Sequence, residues 1–336
     1  MKEIIKKLVN LNNLSASEME YAMNYIMDEN SDDILISSFL TALSIKKETS
    51  VEVTAGAKVL RNLATKVNID DLVMIDIVGT GGDLSNTFNI STATSIIVAA
   101  GGGCVIKHGN RSVSSNCGSA DVLEGLGVKL DLTPEEVKEC VQRTNLSFLY
   151  APSFHRAMKN VGKVRKNLGL RTIFNILGPL INPGSANHML VGVYEERLMD
   201  IYGDVLNNLG VKKALIVYGE DGLDEATITG NTKVLELNNG IFKKYTINPK
   251  DFGFELGKKE DIQGKDAIFN GQIIKDIFNG ERGAKRDIVI LNSALALYAS
   301  NLVTSIEEGI LKAKKIIDEK LAYKKLEEFI LVSNEV

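Results

Sequence analysis

The sequence carries a glycine-rich segment, GTGGD at residues 79–83, directly after an apolar run at residues 72–78. Glycine permits positive φ angles and lets backbone N–H groups approach an anion closely. The next segment, NISTAT at residues 89–94, stands where a helix should begin, and a helix N-terminus offers free amides and the positive end of a dipole. Together the two segments predict a phosphate-binding site. The alternative is a plain tight turn, with Ser91 or Thr92 as an ordinary N-cap.

A third segment, KHGNRSVSS at residues 107–115, combines two cations, an amide and three hydroxyl groups with no acid. It follows a short apolar run at residues 104–106 that is typical of a buried strand. Binding residues are often carried on loops that a rigid scaffold holds in place, so we expect this loop to bind a polyanion. Ser119, at the start of the following helix, can add one more hydroxyl group.

Two charged segments complete the set. Residues 220–225, EDGLDE, follow an apolar run that predicts a strand at residues 214–218. Carboxylates at the carboxyl end of a strand and beside a phosphate site suit Mg²⁺, which keeps waters and bridges substrate phosphates. Residues 156–171 contain six Lys and Arg residues and no acid, a positive field that would attract an anionic substrate. In both cases a solvated charged surface is the alternative.

Composition places the chain among ordinary globular proteins. Its 336 residues are 44% hydrophobic and 24% charged, and the length is sufficient for two domains. The net charge of −4 and the pI near 5.6 argue against nucleic acid as a partner, because neutralising phosphates requires an excess of Lys and Arg. Every 18-residue stretch contains charged or strongly polar residues, so we expect no membrane span.

Cysteine and histidine usage points to a reducing compartment. Cys104, Cys117 and Cys140 are odd in number and form no C-x-x-C pair, so a disulfide framework is not expected. The three histidines do not fall at zinc spacings. The N-terminus lacks the long apolar core and the cleavage site of a signal peptide, and we therefore expect a cytoplasmic protein.

The elements that must position these segments change in character near residue 70. Before it, a capping box at Ser15 and Glu18 and apolar stripes at helical spacing predict helices. After it, apolar runs predict strands at residues 72–78, 104–107, 189–194, 214–218 and 287–291. Further helices are expected at residues 96–100, from Thr133-Pro134, at residues 292–300 and after Thr304-Ser305.

This alternation of strands and helices predicts an α/β fold class. We expect a small helical domain at residues 1–70, to which a segment near residues 165–185 could contribute. A larger α/β catalytic domain at residues 71–336 should contain a central sheet flanked by helices.

Taken in order, GTGGD, NISTATS, KHGNRSVSS, NCGSADVLEGLG and GEDGLDEAT resemble the anthranilate phosphoribosyltransferase family of tryptophan biosynthesis. FNILGPLINP at residues 174–183 and FNGERGAKRDIVILNSALALYA at residues 278–299 are similar to that family as well. The resemblance therefore spans nearly the whole chain. Pyrimidine nucleoside phosphorylases share GTGGD but carry a different loop in place of KHGNRSVSS. Such a phosphorylase, or a catalytically silent relative that binds nucleic acid, is the alternative.

The resemblance implies a two-domain fold with substrates in the cleft between the domains, and a homodimer joined through the helical domains. It implies phosphoribosyl pyrophosphate (PRPP) and anthranilate as substrates and Mg²⁺ as the cofactor. The residues that it assigns to PRPP are Gly79, Gly82, Asp83, Thr87, Asn89, Ile90, Ser91, Thr92, Lys107, His108, Gly109, Asn110, Arg111, Ser112, Val113, Ser114, Ser115 and Ser119. Those that it assigns to anthranilate are Gly79, Asn110 and Arg165, with His108 and His155 as further candidates. The Mg²⁺ ligands that it implies are Ser91, Asp224 and Glu225.

The residues also fit this chemistry independently. Displacing pyrophosphate builds negative charge on the leaving group, which Mg²⁺, Lys107 and the N–H dipoles of the glycine loops would stabilise. The amine of anthranilate is neutral at pH 7, so no strong general base is needed, and alignment with the anomeric carbon supplies much of the rest. Arg165 suits the anthranilate carboxylate because its planar guanidinium can bind both oxygens.

Overall fold

The computed structural model describes residues 1–69, 72–83, 85–112 and 116–336. Four helices come first: α1 (Lys2–Val9), α2 (Ala16–Met27), α3 (Asp33–Lys46) and α4 (Ser50–Leu63). The predicted capping box is confirmed, because Ser15 Oγ accepts from the Glu18 N–H at 3.3 Å and Glu18 Oε2 accepts from the Ser15 N–H at 2.8 Å. The apolar stripe of α2 is buried as predicted. The first 64 residues therefore form a helical bundle around their own apolar faces.

A seven-stranded sheet follows within the described residues, in the order β3-β2-β1-β4-β5-β6-β7. Its strands are β1 (Met74–Gly79), β2 (Cys104–Gly109), β3 (Leu146–Tyr150), β4 (His188–Gly192), β5 (Lys213–Gly219), β6 (Thr232–Asn238) and β7 (Ile241–Ile247). The first five are parallel, and β6 and β7 add as an antiparallel hairpin. The strand order reverses at β1, and the crevice beyond the carboxyl ends of the strands there is where open α/β sheets bind ligands.

Helices cover both faces of this sheet. They are α5 (Ile90–Ala100), α6 (Ser119–Leu126), α7 (Pro134–Thr144), α8 (Ala151–Phe154), α9 (Met158–Leu168), α10 (Ile173–Leu177), α11 (Leu198–Asn208), α12 (Ala267–Phe278), α13 (Ala284–Ala299), α14 (Ile306–Asp318) and α15 (Leu321–Glu335). Short 3₁₀ turns lie at Gly178–Leu180, Pro249–Phe252 and Lys259–Ile262. No helix in the described ranges combines the length and the apolar content needed to cross a bilayer.

Two hydrophobic cores lie on opposite faces of the sheet. Along β4, Met189 and Val191 belong to the core shared with the N-terminal helices, whereas Leu190 belongs to the core built with α5 and α13. This alternation is the two-residue period of a strand buried on both faces. The structure therefore confirms an α/β architecture with a central sheet flanked by helices and a helical bundle before it.

The segment between β3 and β4 joins the helical bundle. Val161 and Val164 of α9, and Ile173 and Leu177 of α10, are buried in the same core as α2, α3 and α4. This segment therefore packs on the N-terminal helices, and the domain boundaries themselves stay a prediction. Arg61 of α4 also donates to the Leu180 carbonyl at 2.7 Å, so the two stretches are tied by a hydrogen bond as well as by packing.

One predicted strand is wrong. Residues 287–291 lie inside α13, which runs from Ala284 to Ala299 and is buried along most of its length. A helix surrounded by protein needs no polar face, so a β-branched run such as Ile288-Val289-Ile290 does not reveal helical periodicity. The other four predicted strands are confirmed to within two residues at each end. β3, β6 and β7 were not predicted.

Candidate functional site

The glycine-rich loop and the acidic loop meet at the carboxyl end of β1. Gly79 pairs with Gly192 of β4, and both press against Asp224. A Cβ atom on Gly79 would lie 2.4 Å from Asp224 Oδ2, and one on Gly192 would lie 1.6 Å from the Asp224 carbonyl oxygen. The Gly81 N–H donates to Asp224 Oδ2 at 2.6 Å. Glycine is therefore required at both strand ends, and two predicted segments 143 residues apart form one site.

Helix α5 begins beside this loop. Asn89 is its N-cap residue, so the alternative that Ser91 or Thr92 serves as the N-cap is wrong. Asn89 makes no capping bond; its Nδ2 donates to the Cys117 carbonyl at 3.2 Å and its Oδ1 accepts from Asn270 Nδ2 at 3.0 Å. The Asn89 side chain therefore leaves the first turn of α5 uncapped, although the Ile90 N–H donates to the Phe88 carbonyl at 2.8 Å. Uncapped amides at a helix N-terminus suit an anion.

Lys107, near the end of β2, points into the site and is 3% exposed. Its Nζ donates to the Ser91 hydroxyl at 3.1 Å and to the Ile77 carbonyl. Burial lowers the pKa of Lys107, while the negative charges of Asp76, Glu225 and Asp224 act in the opposite direction. The result is a preorganised cation between the start of α5 and the acidic pair.

Asp224 and Glu225 are each 9% exposed, and no salt bridge within the described ranges neutralises either of them. Burial raises the pKa of Asp224, and the negative charge of Asp83 raises it further. Burial also raises the pKa of Glu225, with repulsion from Asp224 adding to the effect. A divalent cation would relieve this repulsion, and carboxylate and hydroxyl oxygens are the ligands that Mg²⁺ prefers.

The residues present therefore fit Mg²⁺. Among the described residues no group of three or more His, Cys, Asp or Glu side chains is arranged around a common metal position. Mg²⁺ does not need such a cage, because it commonly binds one or two carboxylates, waters and the phosphates of a substrate. Asp224, Glu225 and Ser91 would be the protein's part of that shell.

The loop after β2 packs on the start of α6. The Ala120 N–H and Ser119 Oγ both donate to the Asn110 carbonyl, at 3.2 and 3.4 Å. Gly118 is needed there, because a Cβ atom would lie 2.4 Å from the Ser112 nitrogen. Val113, Ser114 and Ser115 lie outside the described residues, so their predicted roles stay predictions.

Arg111 is bound to acids that the sequence segment itself does not contain. Its guanidinium forms hydrogen bonds with both Glu124 oxygens at 2.7 and 2.9 Å, and with Asp121 at 3.1 Å. It also contacts the Tyr150 hydroxyl. The absence of acids within residues 107–115 therefore does not leave this cation free, since α6 supplies them.

The remaining residues predicted to bind PRPP differ in the groups that they can offer to a ligand. Ile90 is 1% exposed and packs in the core, so only its backbone can face a ligand. Thr87 pairs with Gln263 in an isolated β-bridge. Asp83 accepts a hydrogen bond from the Ser85 hydroxyl, and the Gly82 carbonyl accepts one from Arg171.

His108 and His155 form a buried pair whose ring centroids are 5.2 Å apart. Burial lowers the pKa of His108 to about 3 and that of His155 to about 4, so both rings are neutral at pH 7. His108 Nδ1 lies 3.2 Å from the Gly178 carbonyl. The Nε2 atom of each ring is buried without a hydrogen-bond partner within the described part of the chain. Buried polar atoms normally have partners, so these two atoms suit a ligand.

Arg165, the predicted anthranilate contact, lies near the end of α9. Its guanidinium carbon is 4.9 Å from the centroid of the Phe174 ring, and burial lowers its pKa. Burial is the only cause of this shift, and no carboxylate within the described ranges contributes to it. A half-buried guanidinium without an acid partner remains available to a carboxylate ligand.

Sequence patterns missed several residues that hold the site together. Asn182 Nδ2 donates to Asp76 Oδ2 at 2.8 Å, and the His108 N–H donates to Asp76 Oδ1 at 3.2 Å. Burial raises the pKa of Asp76 to about 6. The sequence did contain a signal for this contact, because a buried acid within an apolar strand needs a hydrogen-bond partner.

Arg171 belongs to the basic run at residues 156–171, but its contacts give it a separate role. Its guanidinium stacks over the Tyr194 ring at 4.2 Å and donates to the Gly82 carbonyl. Its own carbonyl accepts from the Ser44 hydroxyl at 2.9 Å. The glycine-rich loop is thereby linked to α3 of the helical bundle, which no local pattern could reveal.

Comparisons with known proteins cover the whole chain. The model of the glycosyl transferase family helical bundle domain matches residues 2–64, and that of the glycosyl transferase family a/b domain matches residues 71–323. An anthranilate phosphoribosyltransferase of Acetivibrio thermocellus is 51% identical over 336 residues, covering 99% of this chain and 97% of the relative.

Two solved structures are similar throughout. Anthranilate phosphoribosyltransferase from Thermus thermophilus has a TM-score of 0.92 and 34% identity, over 98% of this chain and 99% of the other. The Saccharomyces cerevisiae enzyme in complex with PRPP and Mg has a TM-score of 0.91 and 32% identity, over 99% and 98%. With half of its residues shared over the full length of a relative, and with the glycine loop, the buried lysine and the acidic pair at one edge of the sheet, the chain belongs to the anthranilate phosphoribosyltransferase family.

Proposed function

We propose that this protein transfers the phosphoribosyl group of PRPP to the amine of anthranilate, giving N-(5-phosphoribosyl)anthranilate and pyrophosphate, as a step of tryptophan biosynthesis. The observation that carries the proposal is that Gly79, Lys107 and Asp224 lie close together at the carboxyl ends of the strands. The similarity to a yeast relative crystallised with PRPP and Mg supports it. Neither a nucleoside phosphorylase nor a silent nucleic-acid binder is favoured by any observation at this edge.

PRPP occupies the crevice above β1 and β2 in this proposal. The Thr80 and Gly81 N–H groups already donate to the Gly192 carbonyl and to Asp224, so the amides of residues 82–83 and the start of α5 bind the phosphates in this proposal. Lys107 supplies a buried positive charge. Asn110 and Ser119, held together by the loop after β2, extend the polar lining. The residues implied for PRPP in the resemblance therefore remain our proposed PRPP site.

Asp224, Glu225 and Ser91 hold Mg²⁺ in this proposal, and the ion supplies charge that stabilises the departing pyrophosphate. Lys107 contributes on the same side, since its Nζ already contacts Ser91 Oγ. Because the acids are buried and mutually repelling, they bind a cation more strongly than exposed acids would.

Anthranilate lies against the histidine pair and Arg165. The guanidinium of Arg165 binds the anthranilate carboxylate through two parallel N–H donors. The imidazoles of His108 and His155 are neutral and add no positive charge beside the anthranilate amine. The amine is itself neutral at pH 7 and has its lone pair available for attack. Gly79 and Asn110 complete the proposed contacts.

The reaction then needs position more than acid–base chemistry. The amine nitrogen forms a bond to the anomeric carbon while the bond from that carbon to the pyrophosphate oxygen breaks. The nitrogen afterwards releases one proton. Alignment of the two substrates within the crevice provides the main rate advantage beyond stabilisation of pyrophosphate.

We further propose a homodimer joined through the helical domain. Large apolar side chains are exposed in this region; they are Val9, Leu11, Tyr21, Ile34, Ile45, Val51 and Leu63. Ile34 and Ile45, at opposite ends of α3, are 73% and 69% exposed, so burying them against a second subunit would remove apolar area from water. Sedimentation of the purified protein at several concentrations would test this, and a monomer throughout would reject it.

The domain boundaries and the location are proposals of the same kind. The two family models support a helical domain within residues 1–70 and a catalytic domain within residues 71–336. Packing of α9 and α10 against α2, α3 and α4 supports adding residues near 165–185 to the former. Three buried free cysteines support a reducing, cytoplasmic location.

The test of the activity is direct. Purified protein is mixed with PRPP, Mg²⁺ and anthranilate, and the fluorescence of anthranilate is followed. We expect a loss that requires all four components. If PRPP binds but fluorescence does not fall, the acceptor is another amine. If phosphate and a pyrimidine nucleoside react instead, the chain is a phosphorylase, and the proposal is rejected.

A further inference from the structure

The acidic segment at residues 224–226 is held by a helix that no motif connects to it. Asn292 lies in the middle of α13, and its side chain is fully buried at 0% exposure. Its Oδ1 accepts from the Ala226 N–H at 3.0 Å, and its Nδ2 donates to the Ala226 carbonyl at 2.8 Å. The carboxamide therefore pairs with both backbone groups of the residue that follows Glu225, as a neighbouring strand would.

These two bonds are specific to the acidic segment. The Nδ2 of Asn292 also donates to the Ile288 carbonyl at 2.9 Å. That bond lies within α13 and does not involve the acidic segment. Ser293, the next residue, is equally buried, and its Oγ has no hydrogen-bond partner in the described ranges. Burial of a polar side chain in α13 thus does not by itself create a contact with residues 224–226.

The segment is constrained from the opposite side as well. The strand ends at Gly79 and Gly192 approach Asp224 so closely that neither position has room for a side chain. Asp224 and Glu225 repel each other, and a free backbone would let the two carboxylates move apart. Held between the strand ends and Asn292, the backbone cannot do so.

We propose that Asn292 is a positioning residue that fixes the backbone of residues 224–226 so that Asp224 and Glu225 bind Mg²⁺ together with PRPP. This inference rests on the proposed metal site. Partners that orient metal ligands without touching the metal are typically worth about 10–100-fold in metal affinity. Asn292 is assigned that role although it lies 66 residues from the segment it holds.

The first experiment needs no metal. In metal-free wild-type protein, the Ala226 amide should be strongly protected from hydrogen exchange. In Asn292→Leu, which keeps the size of the side chain but removes both bonds, we expect exchange of this amide to become at least about tenfold faster. The matched control is Ser293→Ala, which should leave it unchanged. An Ala226 amide that exchanges freely in the wild type, or at the same rate in Asn292→Leu, overturns the proposal.

The second experiment measures binding of the ion. In the presence of PRPP, Mn²⁺ binding is followed by electron paramagnetic resonance, with Mg²⁺ as competitor. Asn292→Leu should weaken binding of either ion about tenfold or more, while the anthranilate KM at saturating Mg²⁺ stays within about twofold. Equal losses in metal binding and anthranilate use would show a general structural defect and reject a positioning role.

Two further variants separate the possible failures. If Asp224→Asn combined with Glu225→Gln leaves Mn²⁺ binding unchanged, the metal site itself is wrong. If that pair weakens binding and Asn292→Leu does not, only the role of Asn292 is wrong. Asn292→Asp retains the acceptor for the Ala226 N–H but places an oxygen against the Ala226 carbonyl. Asn292→Asp should therefore weaken metal binding. If Asn292→Leu does not fold, Asn292→Asp is the variant that tests the proposal.

Discussion

Buried polar side chains gather at both ends of the parallel strands, but the two clusters differ in whether their polar groups have partners within the described ranges. At the amino ends of β4 and β5, Lys213 Nζ donates to the Tyr298 carbonyl at 2.7 Å and to Asn301 Oδ1 at 3.0 Å. Glu236 accepts from the hydroxyls of Tyr298 and Tyr245 at 2.9 and 3.2 Å. At the carboxyl ends, Asp224 accepts a hydrogen bond from the Gly81 N–H but lies beside a second buried acid, Glu225, and the Nε2 atoms of His108 and His155 have no hydrogen-bond partner within the described ranges.

The difference separates structure from function. A buried polar group that has its partners stabilises one arrangement, whereas a buried group without them raises the free energy of the folded protein until a ligand arrives. The amino-end cluster is complete in the folded chain. In the carboxyl-end cluster, the two adjacent acids repel each other and the two histidine Nε2 atoms have no partner within the described ranges. These residues are among those proposed to contact PRPP, Mg²⁺ and anthranilate.

The largest effect is expected from the acidic pair. Asp224→Asn combined with Glu225→Gln should lower the rate about a hundredfold and shift the Mg²⁺ titration, because the ion loses its protein ligands. Stability should not fall, since two buried, repelling carboxylates become neutral. Rates across a Mg²⁺ titration and urea unfolding measure both. A loss of stability would place the pair with the amino-end cluster instead.

Arg165→Ala should raise the anthranilate KM by about 10–100-fold, corresponding to the loss of a hydrogen-bonded charge pair. PRPP binding should be spared, because Arg165 contacts Phe174 rather than the phosphate loops. Separate saturation curves for the two substrates test this. Equal weakening for both substrates would indicate that Arg165 serves the fold.

The histidine pair predicts a pH effect on stability. The folded pKa of His155 is about 4, below the unfolded value of 6.5, so the unfolded chain binds a proton first as pH falls. Its stabilising contribution is therefore complete above pH 6.5 and is lost as pH falls towards 4. Between pH 7 and pH 5 we expect His155→Leu to gain about 2 kcal/mol relative to wild type. Urea unfolding at both pH values provides the comparison, and a pH-independent difference would contradict it.

The smallest effect on activity should come from the amino-end cluster. Lys213→Met removes the hydrogen bonds from a buried ammonium to the Tyr298 carbonyl and to Asn301 Oδ1, so the free energy of unfolding should fall by about 1–3 kcal/mol. The KM values and the Mg²⁺ dependence should stay as in wild type. If the kinetic constants changed as much as those of Arg165→Ala, the functional distinction between the two edges would not hold.

Much of the site was predictable because its signals are local. The glycines of residues 79–83, the polar start of α5, Lys107 at a strand end and the Asp224-Glu225 pair each stand next to an apolar run. Strand, turn and helix-cap preferences depend on residues that are close in sequence, so sequence patterns can reveal them. Where a whole helix is buried, as in α13, the signal disappears, and residues 287–291 were mistaken for a strand.

The sequence by itself determined the order of the elements, the segments that carry chemistry and the family to which they belong. Only the tertiary structure decided which residues hold those segments in place. Asn292 clamps Ala226 across 66 positions, Asn182 binds Asp76 across 106, and Arg171 reaches Gly82 across 89. Such contacts produce no periodic sequence pattern, because each bond depends on how two distant elements pack. The residues between the two partners therefore carry no local signal of the contact.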